Sequence, residues 1–279
     1  MPVPVRVPSP RTRLRFRGLW FATLLACAVP AVVPQALFAQ SRAELDKVLR
    51  RKVLNNGLEV IVVENHGVPI ATLEIDVRNG AFTQSPEYAG LAHMYEHMFF
   101  KANKDLPEPD MFTDRAAELG AIFNGSTREE VVNYYLTLPA DSLEGGLHFL
   151  ASALRNPLFR ADELKREKEV VLGEYDRNEA EPGFEFIQKS TALLYPGQGS
   201  RKNTIGDRDV IAKVTPEQMR YIQKKYYVPN NCTLIVTGDV DPERVFALAE
   251  RIYGDWPRGA DPVNQTSPFE LTISPAIGS

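Results

Sequence analysis

Two of the four histidines in this 279-residue chain, His93 and His97, stand four positions apart in the run His93-Met94-Tyr95-Glu96-His97. On a helix, positions i and i+4 share a face, so both imidazoles can present a nitrogen to one metal ion. Zn²⁺ takes neutral imidazole at about 2.0–2.1 Å, and a catalytic site keeps three protein ligands and leaves the fourth position to water. A carboxylate beside the metal but not bound to it can take the proton from that water. Glu96 has the place and the chemistry of that general base.

The elements that position these residues are legible in outline. Alternation across residues 52–64 around Asn55-Asn56-Gly57 predicts a hairpin, and residues 70–77 (IATLEIDV) predict a further strand. Gly80 and Ser85-Pro86 break the chain ahead of a motif helix over residues 88–101. Asp110 stands where it can cap a helix running to about residue 119, and strands follow over 122–126 and 131–139. Helices are expected over 141–154 and 162–179, then an irregular stretch over 182–207, a helix over 216–226, a strand over 233–237 and a last helix over 242–253.

The third ligand should come from a second helix facing the first. The helix over 162–179 carries Glu163, Glu167, Glu169, Glu174 and Asp176, with Val170, Val171 and Leu172 expected to bury its middle. Glu167 and Glu174 are seven residues apart and share a face, but spacing alone does not choose among the five acids. The remaining polar singletons read as structural. His66 lies in a loop, His148 on a helix face near the core and Asp239 in a turn, while Cys232 reads as a small buried strand residue.

Residues 1–18 carry Arg6, Arg11, Arg13, Arg15 and Arg17 with no acid, and residues 19–39 are apolar apart from Thr23 and Gln35. That layout predicts a secretory signal peptide ending near Ala39, and Pro30 and Pro34 argue against one continuous membrane helix. After its removal Cys232 is the one cysteine left, so no intrachain disulfide can form and stability must come from a packed core. The formal net charge of −4 gives no reason to expect a nucleic-acid partner. The expected organisation is a signal peptide over 1–39, a metal-bearing domain over 40–258 and a linker or tail over 259–279.

The wider sequence resembles one known family. Gly90-Leu91-Ala92-His93-Met94-Tyr95-Glu96-His97-Met98-Phe99-Phe100-Lys101 is similar to the zinc helix of pitrilysin/insulinase-type metallopeptidases, in the style of the processing-peptidase-like branch of bacteria. Asn124-Gly125-Ser126-Thr127 with Tyr134 resembles that family's Asn-Ala-x-Thr strand, and Arg166-Glu167 followed by Val171-Leu172-x-Glu174 resembles its second zinc helix. The run from Asn231 to Val240 is similar to its late strand and Gly-Asp turn. Residues 98–173, 76 in number, separate His97 from Glu174, the interval the resemblance calls for. The resemblance therefore implies His93, His97 and Glu174 as ligands of one Zn²⁺ per chain, Glu96 as base, and Glu167 as an acid supporting the site; for Asn124 and Tyr134, lining a substrate cleft and packing are both open.

With the predicted elements, the resemblance implies an α+β fold. It is a two-layer sandwich of a largely antiparallel mixed sheet with helices packed on one face. It further implies a peptide substrate; together with the N-terminal signal segment the expectation is an exported, periplasmic or secreted enzyme of a Gram-negative-type bacterium, with no stable membrane span once the signal is removed. Members of the family usually close two homologous halves around the substrate, and this chain corresponds to the N-terminal half. A homologous second-half subunit or a homodimer is the expected partner, and a peptide-binding or inactive half-subunit the alternative. Two departures are Tyr95, where the family usually has leucine, and Pro196-Gly197-Gln198-Gly199-Ser200, which lacks a histidine common in that loop.

Overall fold

The computed structural model describes residues 47–195 and 203–262. The signal segment, the loop at 196–200 and residues 263–279 of the expected tail fall outside the described residues. Strands β1 (Leu49–Val53) and β2 (Glu59–Glu64) form the expected hairpin. Gly57 at φ 95° supplies the left-handed turn residue, and the buried Asn56 side chain donates to the carbonyls of Tyr253 and Trp256 at 2.7 and 3.0 Å. One turn thereby ties the start of the described chain to its end.

Strands β3 (Ile70–Val77), β4 (Ile122–Thr127), β5 (Val132–Pro139) and β6 (Cys232–Gly238) complete the sheet. Among the described residues the order is β1-β2-β6-β3-β5-β4, with every pairing antiparallel except β2 with β6. Period-two alternation sends Ala71, Leu73, Ile75 and Val77, together with Val132, Tyr134, Leu136 and Leu138, to one face, where all are buried. Helices α1 (Leu91–Phe99), α2 (Met111–Glu118), α3 (Leu143–Arg155), α4 (Ala161–Glu179), α5 (Phe184–Leu194), α6 (Arg208–Lys213), α7 (Pro216–Tyr226) and α8 (Pro242–Tyr253) make up the helical layer. The opposite face of the sheet is half-buried and polar, with Asn133 Nδ2 donating to Glu74 Oε1 at 2.6 Å and the hydroxyls of Thr72 and Thr137 paired at 2.9 Å. The two-layer α+β arrangement with a largely antiparallel mixed sheet is the one expected.

Several local expectations change. The motif helix begins at Leu91, because Pro86–Tyr88 form a separate 3-10 turn and Gly90 at φ 94° breaks the path between them. Asp110 does not cap α2 with its side chain. Its backbone is left-handed at φ 69°, whereas an N-cap needs an extended one, and its carbonyl accepts from the Asp114 amide instead. The stretch expected to be irregular over 182–207 contains α5 and is followed by α6. Pro182-Gly183 and Pro196-Gly197 bracket α5 with breakers, and its Phe and Ile residues carry weak helix propensity. α6 is only 6 residues long, too short for periodicity, though Asp207 caps it by accepting from the Asp209 and Val210 amides. His148 is exposed on α3 rather than set near the core, whereas Cys232 is buried in β6 as expected.

The N-terminus of α1 is held by backbone contact. A Cβ at Gly206 would lie 2.1 Å from Gly90 Cα and 2.2 Å from Gly90 N, and the Asp207 amide donates to Ala89 O at 3.2 Å. Gly206 itself stands at φ 83°. Gly206→Ala is expected to lower stability by at least about 2 kcal/mol, from left-handed strain added to a clash that only backbone movement relieves. Urea unfolding measures it, and an unchanged midpoint would contradict this packing.

Candidate metal centre

Helix α1 divides its residues by phase. Leu91, Ala92, Met94, Tyr95, Met98 and Phe99 are buried beneath it, while His93, Glu96 and His97 share the complementary, half-buried stripe. The buried side is anchored by aromatic stacking. Phe99 stacks on Tyr134 of β5 with ring centroids 3.6 Å apart, and Tyr95 stacks on Tyr227, just after α7, at 3.8 Å. The two partners are joined by a hydroxyl–hydroxyl hydrogen bond of 2.7 Å. Burial pushes both phenols above their ordinary range, so each stays neutral. Tyr95 thus has an aromatic partner that a leucine would not need.

Helix α4 faces α1 with a stripe at three- and four-residue spacing: Leu164 and Val171 are buried, and Glu167 and Glu174 are half-buried. Only Val171 of the expected apolar middle is fully enclosed, since Val170 is 47% exposed. The stripe separates the five acids. Glu163 turns inward to accept from the Ala102 amide at 3.3 Å, Glu169 is exposed, and Asp176 pairs with Arg208.

Glu174 joins the histidines. His93 Nε2 and His97 Nε2 are 3.3 Å apart, and Glu174 Oε2 lies 3.5 Å from the first and 3.7 Å from the second. Tetrahedral bonds of about 2.0–2.1 Å put neighbouring donors roughly 3.3–3.4 Å apart, so the spacing matches a shared cation with little movement. Burial, and then the neighbouring His97, lower the pKa of His93 to about 4, so its imidazole is neutral near pH 7, as a ligand must be. Among the described residues these three form the one group of His, Cys, Asp and Glu side chains disposed to hold a metal ion.

Two further carboxylates flank the trio. Glu96 Oε2 accepts from the Thr127 hydroxyl of β4 at 2.6 Å. Burial raises the Glu96 pKa, against the opposing pull of the Thr127 bond and His97. Gly125 allows the approach, because a Cβ there would lie 3.2 Å from Glu96 Cγ. Glu167 Oε2 lies 3.1 Å from His97 Nδ1, and its Oε1 lies 2.7 Å from Lys101 Nζ. Burial opposes ionisation of Glu167, but the hydrogen bonds from His97 and Lys101 outweigh it and lower its pKa. No role was read for Thr127 or Lys101 from the sequence. Thr127 had a signal in strand alternation, two positions beyond Gly125 on the face toward α1, and Lys101 had none beyond its place after the helix.

Of the two residues considered for a substrate cleft, one is exposed and the other is buried. Asn124 is exposed on β4, at a position alternate to Gly125 and Thr127, and its side chain accepts from the Gly125 amide at 2.8 Å. Tyr134 is fully buried under α1, which removes it from any surface a substrate can touch and makes it a packing residue. Tyr134→Phe leaves the buried Tyr227 hydroxyl without this partner and is expected to cost about 1–2 kcal/mol in urea unfolding. A neutral effect would show that the pair does not secure α1.

The family model described as Insulinase (Peptidase family M16) matches residues 59–204, and that of the Peptidase M16 inactive domain matches residues 213–276. The chain belongs to the M16 insulinase family. Both matched segments contribute to one sheet, because β6 from the second lies between β2 and β3 from the first. Similar proteins include an uncharacterized zinc protease of Rickettsia felis, 26% identical over 206 residues, covering 74% of this chain and 50% of that protein. The probable zinc protease PqqL of Escherichia coli is 26% identical over 239 residues, 83% of this chain and 25% of that one. Among solved structures, the periplasmic protease PqqL from Escherichia coli superposes with a TM-score of 0.73 at 24% identity, over 80% of this chain and 26% of that one. A protease from Helicobacter pylori gives 0.71 at 24% identity, over 76% and 51%. The chain thus spans between about a fifth and a half of the length of the curated relatives it matches. Among the described residues no helix is long and apolar enough to cross a membrane.

Proposed function

We propose that this chain is the metal-bearing domain of a zinc-dependent endopeptidase that hydrolyses peptides or unfolded protein segments. The observation that carries the reading is the convergence of His93, His97 and Glu174 to a cation's spacing, with Glu96 beside them and bound to none of the three. A donor set of two imidazoles and one carboxylate with an open position suits Zn²⁺, one per chain. When bound, zinc supplies Lewis acidity, which acidifies a water and polarises a scissile carbonyl.

The chain's own residues do the rest. Thr127 holds one oxygen of Glu96, leaving Oε1 to receive the proton of the attacking water and later return it to the departing amine. Among the described residues strand β4 is an edge of the sheet, paired to β5 on one side, and an extended peptide added along its other side would run beside Glu96. Exposed Asn124 on that edge is then a substrate-contacting residue.

The arginine-rich and apolar segment over 1–39 supports export, and the periplasmic setting of the Escherichia coli neighbour supports the periplasm as destination. The domain is assigned to residues 40–258. The fraction of its relatives that the chain spans favours turnover with a second, homologous half. The alternative, a half-subunit that binds peptide without turnover, has no chemical use for Glu96.

Glu96→Gln is expected to lower peptide cleavage by about 10²–10⁴-fold while zinc content stays at one per chain, and His93→Ala to lose the zinc. Elemental analysis and a peptidase assay, with and without a candidate second half, read both. Wild-type cleavage by Glu96→Gln would sink the base assignment, and unchanged zinc in His93→Ala would sink the site.

A further inference from the structure

Glu167 sits behind His97 with both oxygens engaged, one on the imidazole and the other on an ammonium from the opposite helix. Lys101 stands two residues beyond the last residue of α1, and its amide donates to Met98 O at 3.3 Å, so its charge lies at the helix's carbonyl end, where a cation is favoured. From there Nζ reaches across to Glu167 Oε1 on α4 at 2.7 Å, while Glu167 Oε2 meets His97 Nδ1 at 3.1 Å. A carboxylate held at both oxygens by groups on either side cannot turn about its terminal bond. Its plane is fixed, and so is the imidazole that depends on it.

The two histidines differ in this respect. His93 Nδ1 is buried and has no hydrogen-bond partner among the described residues. His97 presents Nε2 to the trio and Nδ1 to Glu167, which selects the tautomer protonated at Nδ1. Of the two imidazoles, His97 is thus the one with a hydrogen-bonded brace behind it. We infer that Lys101 is a positioning residue of the metal centre: by clamping Glu167 it sets the tautomer and ring plane of His97, and through them the metal affinity.

Lys101 also balances charge. Glu96, Glu167 and Glu174 bring three carboxylates to one pair of facing helices, and Lys101 is the cation in direct contact with Glu167. Without it Glu167 loses its second partner and can rotate, which releases His97 Nδ1. The inference rests on His97 being a metal ligand, as proposed above, and its test separates the two.

The test compares the parent chain with Lys101→Met, Lys101→Arg, Glu167→Gln and the double variant Lys101→Met/Glu167→Gln. Zinc affinity is measured by competition with a chromophoric chelator, and the ring ¹⁵N shifts of His97 are recorded in the metal-free chain. Outer partners of metal-bound histidines typically matter by 10–100-fold in affinity. Lys101→Met is expected to weaken zinc binding about tenfold, Lys101→Arg to recover most of the loss, and the double variant to be no weaker than Glu167→Gln alone, because Lys101 acts through Glu167. The ¹⁵N shifts should move from a single Nδ1–H tautomer toward a mixture in Lys101→Met, at an unchanged melting temperature of the metal-free chain. Parental affinity in Lys101→Met, or losses that multiply in the double variant, would overturn the inference. If the parent itself takes up no zinc, the metal-site reading falls, and the His97 tautomer still decides on Lys101.

Discussion

Donor atoms from two helices must come within 4.8 Å of one another while the helices that carry them stay packed as ordinary core elements. That constraint governs the molecule. Three lone-pair groups at this separation repel one another and have given up part of their hydration, so an isolated pair of helices would turn them outward. What prevents it is the underside of α1. Leu91, Met94, Tyr95, Met98 and Phe99 are buried so completely that the helix has one rotation available, and that rotation points His93 and His97 at α4.

The surrounding structure can be understood as means of fixing that rotation. Tyr134 and Tyr227 reach α1 from the sheet and from the end of α7, each stacked on one of its aromatic residues and bonded to the other by its hydroxyl. Backbone contact between Gly90 and Gly206 sets where the helix begins. The polar parts follow from the packing: β4 passes close enough for Thr127 to hold Glu96, and the stripe of α4 that buries Leu164 and Val171 against α1 brings Glu167 and Glu174 with it. Support and chemistry share elements, so a residue such as Gly125 serves both, as a strand position and as the gap that admits Glu96.

The parts of this arrangement legible in the sequence are those with a short-range signal. His93 and His97 at i and i+4, the Asn55-Asn56-Gly57 turn and the alternation of β3 each state their geometry within a dozen residues. Glu174 was different: five acids on one helix were equivalent by spacing, and resemblance to a family chose among them. What singles it out physically is the contact of α4 with α1, across a separation of 76 residues that no local pattern encodes. Tyr134 stays open in the sequence for the same reason, because a tyrosine in an alternating strand can face a cleft or a core and only the packing of α1 decides. α5 hid between two Pro-Gly pairs, and the left-handed backbone at Asp110 is set by its surroundings, not by its own preference.

The central claim is that two imidazoles and a carboxylate of this chain surround one zinc ion. X-ray absorption at the zinc edge of the metal-loaded chain tests it most directly, since it counts and ranges the donors without reference to activity. The account predicts two imidazole nitrogens at about 2.0–2.1 Å, with their characteristic outer-ring scattering, and oxygen donors at about 2.0–2.2 Å from Glu174 and solvent. A shell of oxygens alone, or a sulfur at about 2.3 Å from Cys232, would contradict it.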